Sequence, residues 1–244
     1  MALRKDDLCV AAAILDFDIR VGEGITHLHP PGVSLPIAAD HLAAIAMPEG
    51  SHKVQEDHTF LLTSGDGEQI FGLCYFHNRR DPSVPRGAIM KSLVLLSRRP
   101  FFAFFLPVVR AALLRHFDAG DDTVLATLVT RLNELAAQRQ AGTLKTDTLT
   151  IFGQGPFAVA LPATSAPDEF GLEAGSLLSL VQRFREHTML IWWALLLHVR
   201  LLFIGHPCWA VGQCCLAAPL LVRPLRGFNE GLHPYVPLAP PHLP

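Results

Sequence analysis

The sequence predicts a mixed α/β fold: an α+β first part built on antiparallel strands, followed by a smaller α/β part. Three observations carry this. "HTFLLTSGDGEQIFGLCYFHN" (58–78) reads as a hairpin, two β-rich runs around Asp66-Gly67, the dipeptide that supplies the positive backbone angles of tight hairpin turns. Beyond Pro100 the apolar residues recur at helical spacing rather than on alternate positions. After Gly175 a long apolar helical pattern, the run "VRLLFIG" and the small-residue run "CWAVGQCCLAAPLLV" follow one another, and helix, buried strand, helix is the order of a layer with a parallel core.

Taken in order, "LCVAAAILDFDI" alternates at its C-terminal end and reads as a strand, with Gly22 and Gly24 turning the chain afterwards. "HLHPPGVSLP" then forms a loop, because three close prolines around a glycine forbid regular structure. "ADHLAAIAMP" is a short helical piece ended by Pro48. The hairpin follows, and "GAIMKSLVLLS" is a further strand. In the first helix Phe101, Phe104, Phe105, Val108, Ala112 and His116 share one face, flanked by Arg110 and Arg115, with Pro100 in the first turn. Pro107 falls inside it and predicts a kink or a split. A second helix is capped by Asp121 or Asp122, lined by Leu125, Leu128, Val129, Leu132 and Leu135, and carries Arg139 near its end. Both helices are expected to cover the strand layer. Residues 140–175 hold prolines at 156, 162 and 167 among scattered glycines, and read as an extended connection between two lobes.

Composition narrows the function classes. The chain has 244 residues, half of them apolar, enough for a sizeable core, which excludes a disordered chain. A net charge of -2 with scattered Lys and Arg leaves no footprint for a phosphate backbone, so no nucleic-acid partner is expected. Cysteines 9, 74, 208, 214 and 215 form no paired spacing and lie in apolar runs, which fits buried thiols in a reducing compartment. The start "MALRKDDLCVAAAILDFDI" superficially suggests a signal peptide, but none is expected, because Asp6, Asp7, Asp16 and Asp18 interrupt the pattern.

Residues 188–222 raise a membrane question, since about 20 apolar residues suffice to cross a bilayer. His198 and Arg200 split the run, a central Arg costs roughly 2.5–3.5 kcal/mol on insertion scales, and Gly205, His206 and Pro207 break it again. A buried helix, a strand and a second helix explain the same breaks as turns. Charge reversal within the "LLFI" run, as in Leu202→Asp, is then expected to unfold the second part.

No chemical motif survives testing. His27 with His29, and His52 with His58, share no helix with carboxylate or Cys ligands at zinc-site spacing, and Cys208, Cys214 and Cys215 are no CxxC knuckle. Lys91-Ser92 in "RGAIMKS" has Met90 where a phosphate loop needs glycine, and "FGQGPF" opens no helix. Ser176 in "AGSLL" lacks the second glycine of a nucleophile elbow. The sequence therefore assigns no catalytic, cofactor-binding or metal-ligating residue. "GSHKVQED" (50–57) reads as the polar lead-in to a strand.

That lead-in, with "IFGLCYF" and "RGAIMKSLVLLS" after it, resembles the opening lobe of the DENN-domain family, particularly its LCHN-like subgroup. "FREHTMLIWWALLLHVRLLFIG" is similar to the start of that family's central lobe, and "PCWAVGQCCLAAPLL" resembles the cysteine-bearing helix that follows it there. The blocks lie within residues 45–117 and 175–222. The resemblance implies a longin-like lobe over 1–139, a linker over 140–175 and the start of a central α/β DENN lobe over 176–244. That lobe is incomplete, because "PYVPLAPPHLP" does not continue a sheet. It further implies a cytoplasmic regulator of Rab-type small GTPases in vesicle trafficking, with peripheral recruitment to membranes. Such a guanine nucleotide exchange factor grips the GTPase between its lobes and promotes GDP release, without any cofactor. The resemblance fixes no partner-binding residue. The rival readings are an integral membrane protein anchored through 188–222 and a non-catalytic DENN-like adaptor or fragment. Exposed apolar surface near 190–222 is expected if the central lobe is cut short.

Overall fold

The computed structural model describes residues 7–18, 20–47, 57–63, 69–85, 87–99, 101–141, 148–158, 177–225 and 231–236. Strands β1 (Cys9–Asp18), β2 (Gly22–His29), β3 (Asp57–Thr63), β4 (Gln69–Arg80) and β5 (Ala88–Ser97) form one antiparallel sheet in the order β2-β1-β5-β4-β3. Helix α1 (Ala39–Ala46) packs on one face, and α2 (Phe102–Ala119) and α3 (Val124–Gln140) pack on the other. The expected α+β architecture of the first part is therefore observed.

Side-chain alternation explains why both faces are covered. Along β4, Phe71, Leu73 and Tyr75 enter the core under α2 and α3, while Ile70, Cys74 and Phe76 enter the core under α1. In β5, Leu93 and Leu95 divide from Val94 and Leu96 in the same way. A strand apolar at every position is thus explained by two covers. The face of α2 carrying Phe104, Phe105, Val108, Ala112 and His116 is buried, as is the Leu125, Leu128, Val129, Leu132, Leu135 face of α3.

Polar tethers fix the helices on the sheet. Asn133 of α3 accepts from the Cys9 backbone N–H at 2.7 Å and donates to the Cys9 carbonyl at 3.2 Å. On the opposite face, Ser92 Oγ (2.7 Å) and Cys74 Sγ (3.0 Å) both donate to the Ala46 carbonyl, one of the last α1 carbonyls without a partner inside the helix. Met47 follows in an extended conformation, as the residue before a proline prefers. The Phe60 ring of β3 lies over Gly72, its cross-strand partner, in the space a Cβ would occupy.

Several expectations are corrected. The chain does turn after β1, with Gly22 at φ 90°, but Gly22 and Gly24 also belong to a returning strand, β2, antiparallel to β1, that was not expected. Pro107 does not split α2, which runs from Phe102 to Ala119 across it, although Pro107 has no N–H to donate to the Ala103 carbonyl one turn back. Part of the supposed extended connection is structured: β6 (Thr148–Ile151) and β7 (Gln154–Ala158) form a hairpin whose turn residues Phe152 (φ 55°) and Gly153 (φ 71°) are both left-handed. Leu149 and Ile151 of this hairpin join the core under α2. The Asp66-Gly67 tip and residues 50–56 lie outside the described residues, although the β3–β4 pairing itself is observed from Asp57↔Tyr75 to Thr63↔Gln69.

The second part departs most from expectation. The long helix over 176–197 is two helices, α4 (Leu177–Phe184) and α5 (Thr188–Leu196), separated by a 3₁₀ turn in which Arg185 takes φ 46°. "VRLLFIG" is not a buried strand. Residues 199–205 carry no helix or strand, and Leu202 is 78% and Ile204 87% exposed. An apolar run reports what a segment would bury, whereas a strand also needs a neighbour for its backbone, and residues 199–205 have none in the sheet. The helix predicted next is present as α6 (Cys208–Ala217), extended by a 3₁₀ turn over Ala218–Val222.

Candidate interaction surfaces

Two surfaces combine chemistry-bearing side chains. The first lies where the sheet runs past the C-terminal end of α2. Register places Asp16 of β1, Lys91 of β5 and His77 of β4 in one row across the sheet. Lys91 Nζ is 2.6 Å from Asp16 Oδ2, and Asp16 Oδ1 is buried with no hydrogen-bond partner. Phe117, in the last turn of α2, sits above the row: the Arg79 guanidinium is 4.7 Å, Lys91 Nζ 6.0 Å and the His77 ring 5.1 Å from its centroid. These are cation–π and edge contacts, which favour the negative ring face. Arg79 also pairs with Asp118 at 3.2 Å.

The adjoining row joins β2 to the α2–α3 turn. His27 Nε2 is 3.3 Å from Asp122 Oδ1, and its ring meets that of His116 edge-on at 5.3 Å. His116 Nδ1 donates to the Asp121 carbonyl at 3.3 Å. Asp121 accepts from the Thr123 backbone N–H (3.0 Å) and hydroxyl (2.6 Å), and these bonds hold its carboxyl below the ordinary range. Neither Asp121 nor Asp122 caps α3 as expected: the N-cap is Thr123, with no side-chain cap bond, while Asp121 holds Thr123 from outside the helix and Asp122 faces His27. Arg115 lies 3.5 Å from Asp121 and Arg110 over Tyr75 at 5.7 Å.

The second surface is apolar. In α5, Thr188 and Ile191 are buried and Leu195 packs beside them against α4, α6 and the 3₁₀ turn after α6, while Met189, Leu190 and Trp193, with Leu197 just past the helix, face outward. A helix apolar all round belongs between two partners, and here one side is bare. The exposed apolar surface expected near 190–222 is therefore found, concentrated in α5 and residues 199–204. The end of α5 is well formed. His198 takes φ 54°, its N–H donates to Leu195 at 3.0 Å, and the Val199 N–H donates to Ala194 at 2.8 Å, the paired bonds of a Schellman cap.

The residues tested in the sequence are dispersed. His27 faces Asp122 while His29 ends β2, and burial lowers its pKa first, with the N-terminal charge adding to the fall. The side chains of His52 and His58 lie outside the described residues. Lys91 and Ser92 point to opposite faces of β5, one to Asp16 and the other to Ala46, so they cannot line a common phosphate cradle. "FGQGPF" is the β6–β7 turn. All five cysteines are free, and burial pushes the Cys215 thiol up to about 11, the protonated form at neutral pH. Among the described residues no group of three or more His, Cys, Asp or Glu side chains could hold a metal. Among them, too, no helix is long and apolar enough to cross a membrane, so the 188–222 anchor has no spanning helix. Sequence reading missed the Phe117 clamp, whereas the bare apolar surface around α5 was expected in kind though not assigned to a helix face. The signal for the latter was an apolar stretch too continuous for a one-sided helix.

The described residues thus combine an antiparallel sheet covered on both faces, a polar rim and a bare apolar flank. The family follows from comparison. The chain matches the family model described as "Transport protein Avl9" over residues 9–222 and belongs to that DENN-related family. It is also similar to "Protein DENND6 homolog" of Dictyostelium discoideum, with 26% identity over 116 residues that cover 44% of this chain and 16% of that protein. The chain thus spans a small part of the length of that relative.

Proposed function

We propose that the chain is a DENN-type regulator of Rab-type small GTPases in membrane traffic, promoting GDP release in the cytoplasm. The observation that carries this is the match to a DENN-related transport family over 9–222, supported by the similarity to the DENND6 homolog. The sheet of β1–β5 with helices on both faces agrees with the strand layer and helices that a longin-like first lobe implies. In this reading residues 1–139 form that lobe, 140–175 lead out of it and 176–244 begin a central DENN lobe of the LCHN-like type.

Nucleotide exchange asks little covalent chemistry of the exchange factor. A surface that binds the nucleotide-free GTPase more tightly than the GDP-bound form shifts the population toward release, by as much as its affinities for the two forms differ. The polar rim suits this task, because Arg79, Lys91 and Asp118 offer both charges on a rigid frame. The test is release of a fluorescent GDP analogue from a panel of purified Rab GTPases with and without the chain. Acceleration on one or two members is expected. A folded chain that binds a nucleotide-free member without accelerating release is an adaptor, and one that does neither removes the GTPase reading.

A further inference from the structure

We propose that α5 and residues 199–204 form the interface between two copies of this chain, paired antiparallel about Leu202. This rests on neither the GTPase reading nor the polar rim. The first observation is the backbone. Among the described residues, Arg200 to Gly205 make no backbone hydrogen bond, although the segment is apolar and bounded by an ordered helix cap and by α6. Unpaired backbone groups beside apolar side chains are a template for strand pairing.

The second observation is the exposure of the run. Phe203 turns inward, its ring 5.6 Å from that of Phe184, and holds the segment against the second core, while Val199 (54% exposed), Leu201 (38%), Leu202 (78%) and Ile204 (87%) lie open around it. The outward face needs a cover, and a second copy brings an identical unpaired run, so one contact satisfies both in a two-fold arrangement. Pairing Leu202 with the partner's Leu202 sets Arg200 opposite the partner's Ile204. No like charges then meet, which directly opposed cross-strand positions require.

The area suits a dimer. Leu190, Trp193, Leu197, Val199, Leu202 and Ile204 are each more than half exposed. At about 60–120 Å² of apolar surface per fully exposed aliphatic side chain, these with Met189 and Leu178 give several hundred Å² per copy. Across a two-fold pair that approaches ~1,000 Å², the size at which specific interfaces begin. A lipid surface fits less well, because the free backbone of 200–205 would enter hydrocarbon without partners.

Light scattering and sedimentation of the full chain at micromolar concentration test this. The expected mass is that of a discrete dimer, falling twofold to the monomer in Leu202→Asp with an unchanged circular dichroism spectrum. Under mild oxidation Leu202→Cys should form a cross-linked dimer on a non-reducing gel, whereas Val21→Cys, on the exposed β1–β2 turn, and the unmodified chain should not. The cross-link decides the matter if Leu202→Asp fails to fold. A monomeric wild type, open-ended oligomers, or a dimer indifferent to both substitutions overturns the proposal. So does a monomer that floats with anionic vesicles through this face.

Discussion

His77 shows how one side chain records its surroundings. It lies on β4 beneath Phe117, its Nδ1 is buried with no hydrogen-bond partner, and Arg79 and Arg110 are near. Burial is the largest cause lowering its pKa, and the two guanidinium groups add to it, while Asp118 acts weakly in the opposite sense. The folded state therefore binds fewer protons than the unfolded chain between the lowered pKa and about 6.5, the ordinary histidine value. Stability must rise with pH across that window and fall on acidification through it. Replacing His77 by Phe, which keeps a ring against Phe117, is expected to flatten this slope. Urea midpoints at about pH 5.5 and 7.5 measure it, and an unchanged slope would assign the acid sensitivity to another group, His29 being the first candidate.

Among the elements, the β3–β4 pair has little tolerance at Gly72. Phe60 occupies the space above Gly72, so Gly72→Ala must push the ring out of the α1-side core, where Phe60 is buried beside Ile70 and Phe76. Overpacking of this kind costs typically ~1–3 kcal/mol, and the denaturation midpoint should fall accordingly. Gly72→Ala combined with Phe60→Leu should lose less than the sum of the two single changes, because the residues touch. Legibility followed the same physics of covered faces. The strands β1, β4 and β5 and helices α2 and α3 were readable because each has a face or two apolar faces in register with its period. The edge strand β2 was not, since Glu23, Thr26, His27 and His29 leave it half-polar with an interrupted alternation. Phe152 hid the β6–β7 turn, a left-handed position where Asn or Asp would have announced a hairpin. Residues 199–205 were misread because hydropathy does not tell a buried apolar run from an exposed one. Leu202→Asp is for this reason expected to leave the fold intact, where burial would have made it destructive. The Phe117 clamp was invisible because its members, Asp16, His77, Lys91 and Phe117, meet only through sheet register and helix docking.

At the scale of the molecule, the second part does not stand by itself. Its own core is small, with Leu180, Ile191, Cys214, Ala217 and Ala218 as the buried members, and two of the five are alanine. Segments of this size seldom fold without a staple or a partner. The staple here is the first part: α6 lies against β3, and Leu216 is fully buried in the core beneath α2 and α3. Residues 231–236 continue to the other side of the sheet, where Tyr235 packs on the core under α1. α6 and residues 231–236 therefore pack on the cores of opposite faces of the sheet. Two consequences can be measured together. Leu216→Ala should cost roughly 2–5 kcal/mol, the range for emptying a buried leucine site, and it should lower one shared calorimetric transition rather than split it. A variant that melts in two steps, with the sheet unaffected, would instead make residues 177–236 an independent unit held only at its surface. The wild-type scan adds a second check. One transition whose calorimetric and van't Hoff enthalpies agree is expected if the two cores unfold as one, and a separate low-temperature step assigned to α4–α6 would contradict it.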